Sequence, residues 1–108
     1  MVEILFWETP SGNSPVEKWL DKLKKKDLEA FLSVYALLEK LEEQGRLLRM
    51  PFVRNLNQGL FELREADFGL RIYYTWKDQT LVLMLASGGK DSQQRDIKIA
   101  RKRLKGVK

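Results

Sequence analysis

Two arginines stand at the centre of the residues that could do chemistry in this chain. Arg64 and Arg71 lie in the runs 60–65 and Leu70–Trp76, whose composition and alternation are typical of short strands. The four residues 66–69 between the runs fit a hairpin loop, and this register places Arg64 opposite Arg71. Paired guanidinium groups are suited to holding a phosphate by bidentate hydrogen bonds.

Glu62 and Tyr73 are predicted to share the arginine face. The same register places Glu62 opposite Tyr73, and alternation turns both side chains to the side of Arg64 and Arg71. Like charges opposed on neighbouring strands destabilise a sheet by roughly 0.2–1 kcal/mol, so a compensating charge is expected. A bound anion would supply it, or the nearby carboxylates would, with Glu62 first among them. The sequence leaves both alternatives open.

A further basic group follows the third strand of this region. Residues 81–86 read as a strand, and Gly88-Gly89-Lys90 then leads into a basic helix. Free amides before a helix N-terminus attract phosphate, and Lys90 adds a positive charge, although a Gly-Gly turn alone is a weak signal. Additional candidates for nucleic-acid contact, which ordinary surface positions explain equally well, are Arg46, Arg49, Arg54, Arg95 and Lys98.

Composition limits the chemistry available to these groups. The 108 residues predict one domain, 1–108, and contain neither cysteine nor histidine. Disulfides, thiolate metal sites and the commonest general base are therefore excluded. The carboxylates show no ligand spacing, so we expect no metal and no cofactor. With no apolar run of membrane-spanning length and no leader-like start, we expect a soluble cytoplasmic protein.

The positive charge is confined to one half of the chain. Residues 61–108 carry 11 Lys/Arg and 6 Asp/Glu, whereas residues 1–60 carry 9 of each, so the net charge of +5 lies entirely in the second half. A basic half of this kind could hold a polyanion or an acidic partner protein. A solvated helix face would give the same composition.

The first half of the chain predicts a support for the sheet. Residues 1–7 alternate as a strand, Ser14-Pro15 opens a helix, and Asp27 and Gly45 bound a second helix, which packs antiparallel to the first. Residues 46–57 show no period and are predicted to be a loop. We expect the polar strand face to stay open and the core to form between Trp19, Leu20, Phe31, Leu32 and Leu38 on the helices and Phe61, Leu63, Ile72 and Tyr74 on the strands.

Several of these segments resemble a known family. The strings Gly-Leu-Phe-Glu-Leu-Arg (59–64), Gly-Leu-Arg-Ile-Tyr-Tyr (69–74) and Leu-Val-Leu-Met-Leu-Ala-Ser-Gly-Gly-Lys-Asp-Ser-Gln-Gln-Arg-Asp-Ile (81–97), with Ala100, are similar to the addiction-module killer proteins. These are RelE/ParE-superfamily toxins of bacterial type II toxin–antitoxin systems. The family usually reads Gly-Gly-Asp-Lys-Ser where this chain reads Gly-Gly-Lys-Asp-Ser, which puts a family role for Lys90 in doubt.

The resemblance implies an α+β, RelE-like fold of order β-α-α-β-β-β-α. It has a four-stranded antiparallel sheet, an N-terminal helix pair behind it and a basic C-terminal helix. It also implies growth arrest, usually by cleavage of mRNA in the ribosomal A site. Metal-independent cleavage by 2′-OH attack would use Arg64 and Arg71 to stabilise charge, and without histidine the base would be Glu62, Tyr73, Lys90 or a ribosomal group. The expected partners are the ribosome, mRNA and an antitoxin encoded by the adjacent gene. A gyrase inhibitor or an inactive, antitoxin-binding remnant remain alternatives.

Overall fold

One mixed sheet with helices on both faces is seen in the computed structural model, which describes residues 1–107. Its strand order is β1-β5-β4-β3-β2. The strands are β1 (Glu3–Phe6), β2 (Val53–Asn55), β3 (Phe61–Glu65), β4 (Leu70–Trp76) and β5 (Leu81–Gly88), and the helices are α1 (Pro15–Lys26), α2 (Leu28–Gln44) and α3 (Gln93–Val107). Short 3-10 turns at Gly45–Leu47 and Lys90–Ser92 follow α2 and precede α3.

The α+β class is confirmed, but the predicted four-stranded antiparallel sheet is wrong in strand count and order. The added strand is β2, which lies within the predicted loop 46–57 and pairs antiparallel with β3. Its three residues are too few to display an alternation. The first strand, β1, pairs parallel with β5, with Glu3 beside Leu81. A pairing between elements so distant in sequence leaves no local pattern.

Helices α1 and α2 form the main core with one face of the sheet. The predicted contacts are confirmed for Leu20 and Leu38, which are buried in one cluster with the strand residues Leu63, Ile72 and Tyr74. Trp19, Phe31 and Phe61 pack against the margin of that cluster. Burial of these apolar side chains is the main force that holds the helix pair on the sheet.

One predicted core residue of α2 is misplaced. Leu32 is 53 % exposed, and its neighbours on the same side, Leu28 and Tyr35, are also exposed. Apolar side chains occur on two sides of α2, and Leu32 lies on the side that faces away from the core. The stripe that the sheet buries consists of Ala30, Val34, Leu37, Leu38 and Leu41.

The third helix, α3, packs on the opposite face of the sheet. Ala100 and Leu104 of α3 are buried with Tyr73 and Leu85 of the strands and with Leu60, which directly precedes β3. The expectation that this face stays open is therefore wrong, because the narrow apolar stripe of α3 covers part of it. Near the N-terminal end of α3, where Gln93 contacts Glu62, the Arg64 side chain on this face is still 34 % exposed. None of the helices within residues 1–107 has the length and apolarity needed to cross a membrane.

Candidate anion site on strands β3 and β4

The predicted register of the two arginine strands is confirmed. Arg64 of β3 lies opposite Arg71 of β4, and Glu62 lies opposite Tyr73. Since directly opposed residues turn to the same face, the four side chains form two adjacent rows. On the edge strand β2, Arg54 lies opposite Glu62 and extends the second row.

Glu62 supplies the charge that the opposed arginines require. Its side chain is fully buried, with Oε1 3.5 Å from Arg64 Nε and Oε2 3.3 Å from Arg71 Nε. The sequence left two sources of this charge open, a bound anion or a nearby carboxylate, and the structure places the Glu62 carboxylate between the arginines. Glu65 has a different task, because its carboxylate accepts hydrogen bonds from the Ser33 hydroxyl at 2.7 Å and from the backbone N–H groups of Asp67 and Phe68.

The two arginines differ in their access to solvent. The Arg71 side chain is 8 % exposed and donates a hydrogen bond through NH1 to the Gly69 carbonyl at 3.0 Å. The Arg64 side chain is 34 % exposed. Arg71 therefore has a structural role, since it is the buried partner of a buried carboxylate. Arg64 is the arginine that a ligand from solvent can reach first.

Tyr73 is enclosed at the same place. The residue is fully buried, and the pKa of its phenol is raised above the ordinary value by burial and then by the nearby Glu62 carboxylate. Its hydroxyl, Glu62 Oε1 and Arg71 Nε have no hydrogen-bond partner of good geometry within residues 1–107. Both effects favour the protonated hydroxyl near neutral pH, which disfavours Tyr73 as the base.

The start of α3 closes the site through a residue that the sequence analysis missed. Gln93 Nε2 donates a hydrogen bond to Glu62 Oε2 at 2.9 Å. Gln93 is the first residue of α3 and follows the Gly-Gly turn at the end of β5. Its closeness to that turn in the sequence was the signal that could have placed it near the sheet. The 3-10 turn Lys90–Ser92 precedes α3, with Gly89 at its N-cap position and no side-chain cap.

A second contact fixes the same turn. The Ser92 hydroxyl donates a hydrogen bond to Asp96 Oδ2 at 2.5 Å, and Asp96 is buried. Both side chains occupy the space in which a Cβ at Gly88 would lie. Gly88, which faces Arg71 across β4 and β5, is thus required for the close approach of α3 to the sheet.

Lys90 comes close to the arginine pair despite its shifted position in the motif. A Cβ built at Gly69 would lie 3.8 Å from the Lys90 Cβ and 3.9 Å from its Cδ. The methylenes of Lys90 therefore run beside the residue whose carbonyl binds Arg71. Lys90 also lines a hollow of about 630 Å³ together with Asp91, Gln93, Gln94, Arg95 and Lys98. Two of the predicted nucleic-acid-binding residues thus adjoin this end of the site.

The remaining basic candidates are dispersed. Arg46 lies over the Trp76 ring at 4.2 Å, at the end of β4 remote from Arg71. Arg49 is exposed in the loop before β2, and Arg54 is exposed on the sheet edge beside Glu62. Of these three, Arg54 alone shares the face of the arginine pair. No group of carboxylates within the described chain 1–107 is arranged as a metal site.

Comparisons with known proteins relate the chain to a family. Residues 18–105 match the sequence model of the family described as Phage derived protein Gp49-like (DUF891). The chain is also 32 % identical over 91 residues to an uncharacterized protein of Haemophilus influenzae, an alignment that covers 79 % of this chain and 81 % of that protein. The matched range contains every residue of the candidate site.

Proposed function

The chain belongs to the Gp49-like family of phage-derived proteins, and from that membership and the arginine pair we propose that it is a toxin of a type II toxin–antitoxin system. We propose a RelE/ParE-type toxin that cleaves mRNA on the ribosome. The observation that carries the proposal is the opposed pair Arg64 and Arg71 around the Glu62 carboxylate. The segments that resemble that superfamily lie from residue 59 to 100, inside the matched range 18–105.

The proposed reaction is an attack of a ribose 2′-OH on the adjacent phosphorus. The 2′ oxygen loses its proton to a base, the new P–O bond forms, and the 5′ oxygen leaves with a proton. Two guanidinium groups are suited to stabilising the charge on the phosphorane oxygens. The partly exposed Arg64 would contact the phosphate directly, while the buried Arg71 would add positive charge beneath it. The ribosome would contribute the position of the RNA, which lowers the barrier by several kcal/mol.

One observation favours a second candidate function. Glu62 and Tyr73 are both fully buried, and Gln93 covers the Glu62 carboxylate, so neither candidate base has access to a 2′-OH in this structure. Lys90 is the exposed candidate that remains near the arginines. If neither Lys90 nor a ribosomal group serves as the base, the toxin would act by binding alone, as an inhibitor of DNA gyrase or of another protein. Superfamily resemblance does not separate these activities.

The proposed physiological partner is an acidic antitoxin encoded by the adjacent gene. The net charge of +5 in the second half of the chain, together with the Lys90 hollow, supports a ligand of opposite charge. Co-expression with the neighbouring gene should restore growth and yield a stable complex. A toxin that ignores the neighbouring product in a pull-down would contradict this part of the proposal.

Primer extension on cellular mRNA after induction tests the proposed activity. Codon-phased cuts are expected with the wild-type chain, and Arg64→Ala should reduce cleavage by about 10²–10³ because a charge-stabilising donor is lost. Lys77→Ala is the control, since Lys77 is an exposed cationic residue just beyond the end of β4 that is remote from Arg71, outside the site and outside the predicted nucleic-acid contacts. Intact mRNA with an SOS response would refute the nuclease and support the gyrase inhibitor. Unchanged growth with intact mRNA would support the third alternative, an inactive remnant that only binds the antitoxin.

A further inference from the structure

The side of α2 that turns away from the core carries a row of apolar side chains. Leu28, Leu32 and Tyr35 are 54 %, 53 % and 49 % exposed. Their spacing of four and three residues places them on one helix face, which we call the outer face of α2. Phe31 stacks on Tyr35 with ring centroids 5.9 Å apart and widens this apolar surface. A contiguous exposed apolar surface marks a contact site.

The two ends of the outer face carry opposite charges. Glu39 and Glu43, one and two turns beyond Tyr35, continue the face at its C-terminal end, and both are exposed. At the N-terminal end lie the exposed lysines that close α1, and Lys24 Nζ is held 5.5 Å from the Phe31 ring centroid. The outer face therefore runs from a basic end through an apolar middle to an acidic end.

We propose that the outer face of α2 pairs with the outer face of a second copy of this chain, with the two α2 helices antiparallel. A two-fold axis between Leu32 and Tyr35 places Leu32 against the partner's Tyr35, and it brings Lys24 beside Glu39 of the partner subunit. A surface of this kind is complementary to itself, as an isologous interface requires. This inference goes beyond the proposed function, because α2 packs on the sheet face opposite to the arginine pair.

The charge pattern favours a second copy over an acidic partner segment. An acidic helix would find the lysines at one end, but it would bring carboxylates against Glu39 and Glu43 at the other end. In an antiparallel pair of two copies, the basic end of each outer face meets the acidic end of the other. With 17 residues α2 is roughly 25 Å long, so a contact along one helix belongs to the small interfaces. We therefore expect a weak dimer that depends on concentration.

Sedimentation equilibrium of the full chain from about 1 to about 500 µM tests the pairing. The mass should rise from monomer to dimer across this range. Leu32→Glu should raise the dissociation constant at least about tenfold, because it removes two apolar contacts per dimer and places a charge at the axis. Leu47→Glu is the matched control, since Leu47 is a leucine 76 % exposed outside the outer face, and it should leave association unchanged.

An exchange of charges tests the antiparallel direction. Lys24→Glu and Glu39→Lys should each weaken association about threefold to tenfold, and the double variant should restore it, because the opposite charges meet again. In a parallel pair each residue would face its own copy, so the double variant would restore nothing. The proposal is overturned by a monomer at all concentrations or by association that Leu32→Glu leaves unchanged. It is equally overturned if Leu32→Glu impairs only binding of the adjacent-gene product, which would assign the outer face to that partner.

Discussion

Replacing Arg71 by alanine should destabilise the protein strongly. The side chain of Arg71 is 8 % exposed and its partner Glu62 is fully buried, so the substitution leaves a buried carboxylate without its buried counter-charge. Breaking a buried ion pair in this way costs about 3–5 kcal/mol. The Arg64–Glu62 contact is longer, at 3.5 Å against 3.3 Å, and the Arg64 side chain is 34 % exposed. Solvent screening should therefore limit the loss from Arg64→Ala to about 1 kcal/mol.

Urea denaturation followed by circular dichroism compares these two variants directly. A third and a fourth variant, Glu62→Gln and Glu62→Gln/Arg71→Ala, complete a double-mutant cycle for the buried pair. The double variant should be more stable than the sum of the single losses predicts, by about 1–3 kcal/mol, because it leaves no unpaired buried charge. Equal, small losses for Arg71→Ala and Arg64→Ala would refute the reasoning. Strict additivity in the cycle would also refute it, since Glu62 would then not depend on Arg71.

Three further predictions concern packing and ionisation. Leu41→Ala should lower the free energy of unfolding by about 2–5 kcal/mol because Leu41 is fully buried, whereas Leu32→Ala should change it by no more than about 0.5 kcal/mol; equal losses in urea melts would contradict the assignment of the α2 faces. Gly88→Ala should cost about 1–3 kcal/mol, because its methyl group would overlap the Asp96 carboxylate and the Ser92 hydroxyl, while the control Gly89→Ala has open space and should be tolerated in the same melts. Burial raises the pKa values of Tyr73 and Tyr74 above 10.0, so the folded chain holds protons that the unfolded chain releases. Stability should therefore be full below about pH 10 and fall above it by about 1.4 kcal/mol per pH unit for each tyrosine, and absorbance at 295 nm should report their ionisation only as the dichroism signal is lost.

The arginine pair could be predicted from the sequence because its register depends on local features. A four-residue loop and strict alternation are enough to oppose Arg64 with Arg71, since a shift by one residue would turn Leu63 and Ile72 out of the core. The helix boundaries at Asp27 and Gly45 were predictable for the same reason. Asp27 accepts a hydrogen bond from the Ala30 N–H at 3.1 Å, and Gly45 has a positive φ of 54°.

The features that were not predicted depend on contacts between distant segments. The parallel pairing of β1 with β5 joins the first strand to the last strand, about 80 residues apart, and neither strand's own sequence identifies its partner. Leu32 and Leu38 are equally apolar, so periodicity alone does not tell which side of α2 meets the sheet. The hydrogen bond from Gln93 to Glu62 requires the path of the Gly-Gly turn, which brings α3 back over the strands. The burial of the site follows from that path.

Because Glu62 is buried, substitution of Arg64 is a cleaner test of activity than substitution of Arg71. In the proposed mechanism Arg71 serves both the fold and the phosphate site, so an Arg71→Ala protein that remains toxic would exclude it from the site, but an inactive one would not distinguish lost chemistry from lost stability. Arg64 touches the same carboxylate from a partly exposed position, and its removal leaves the buried pair intact. Loss of toxicity in a folded, antitoxin-binding Arg64→Ala protein would therefore point to the ligand site itself. If toxicity persisted in that protein and disappeared in Lys90→Ala, the site would centre on the Gly88-Gly89 turn and its hollow rather than on the paired strands.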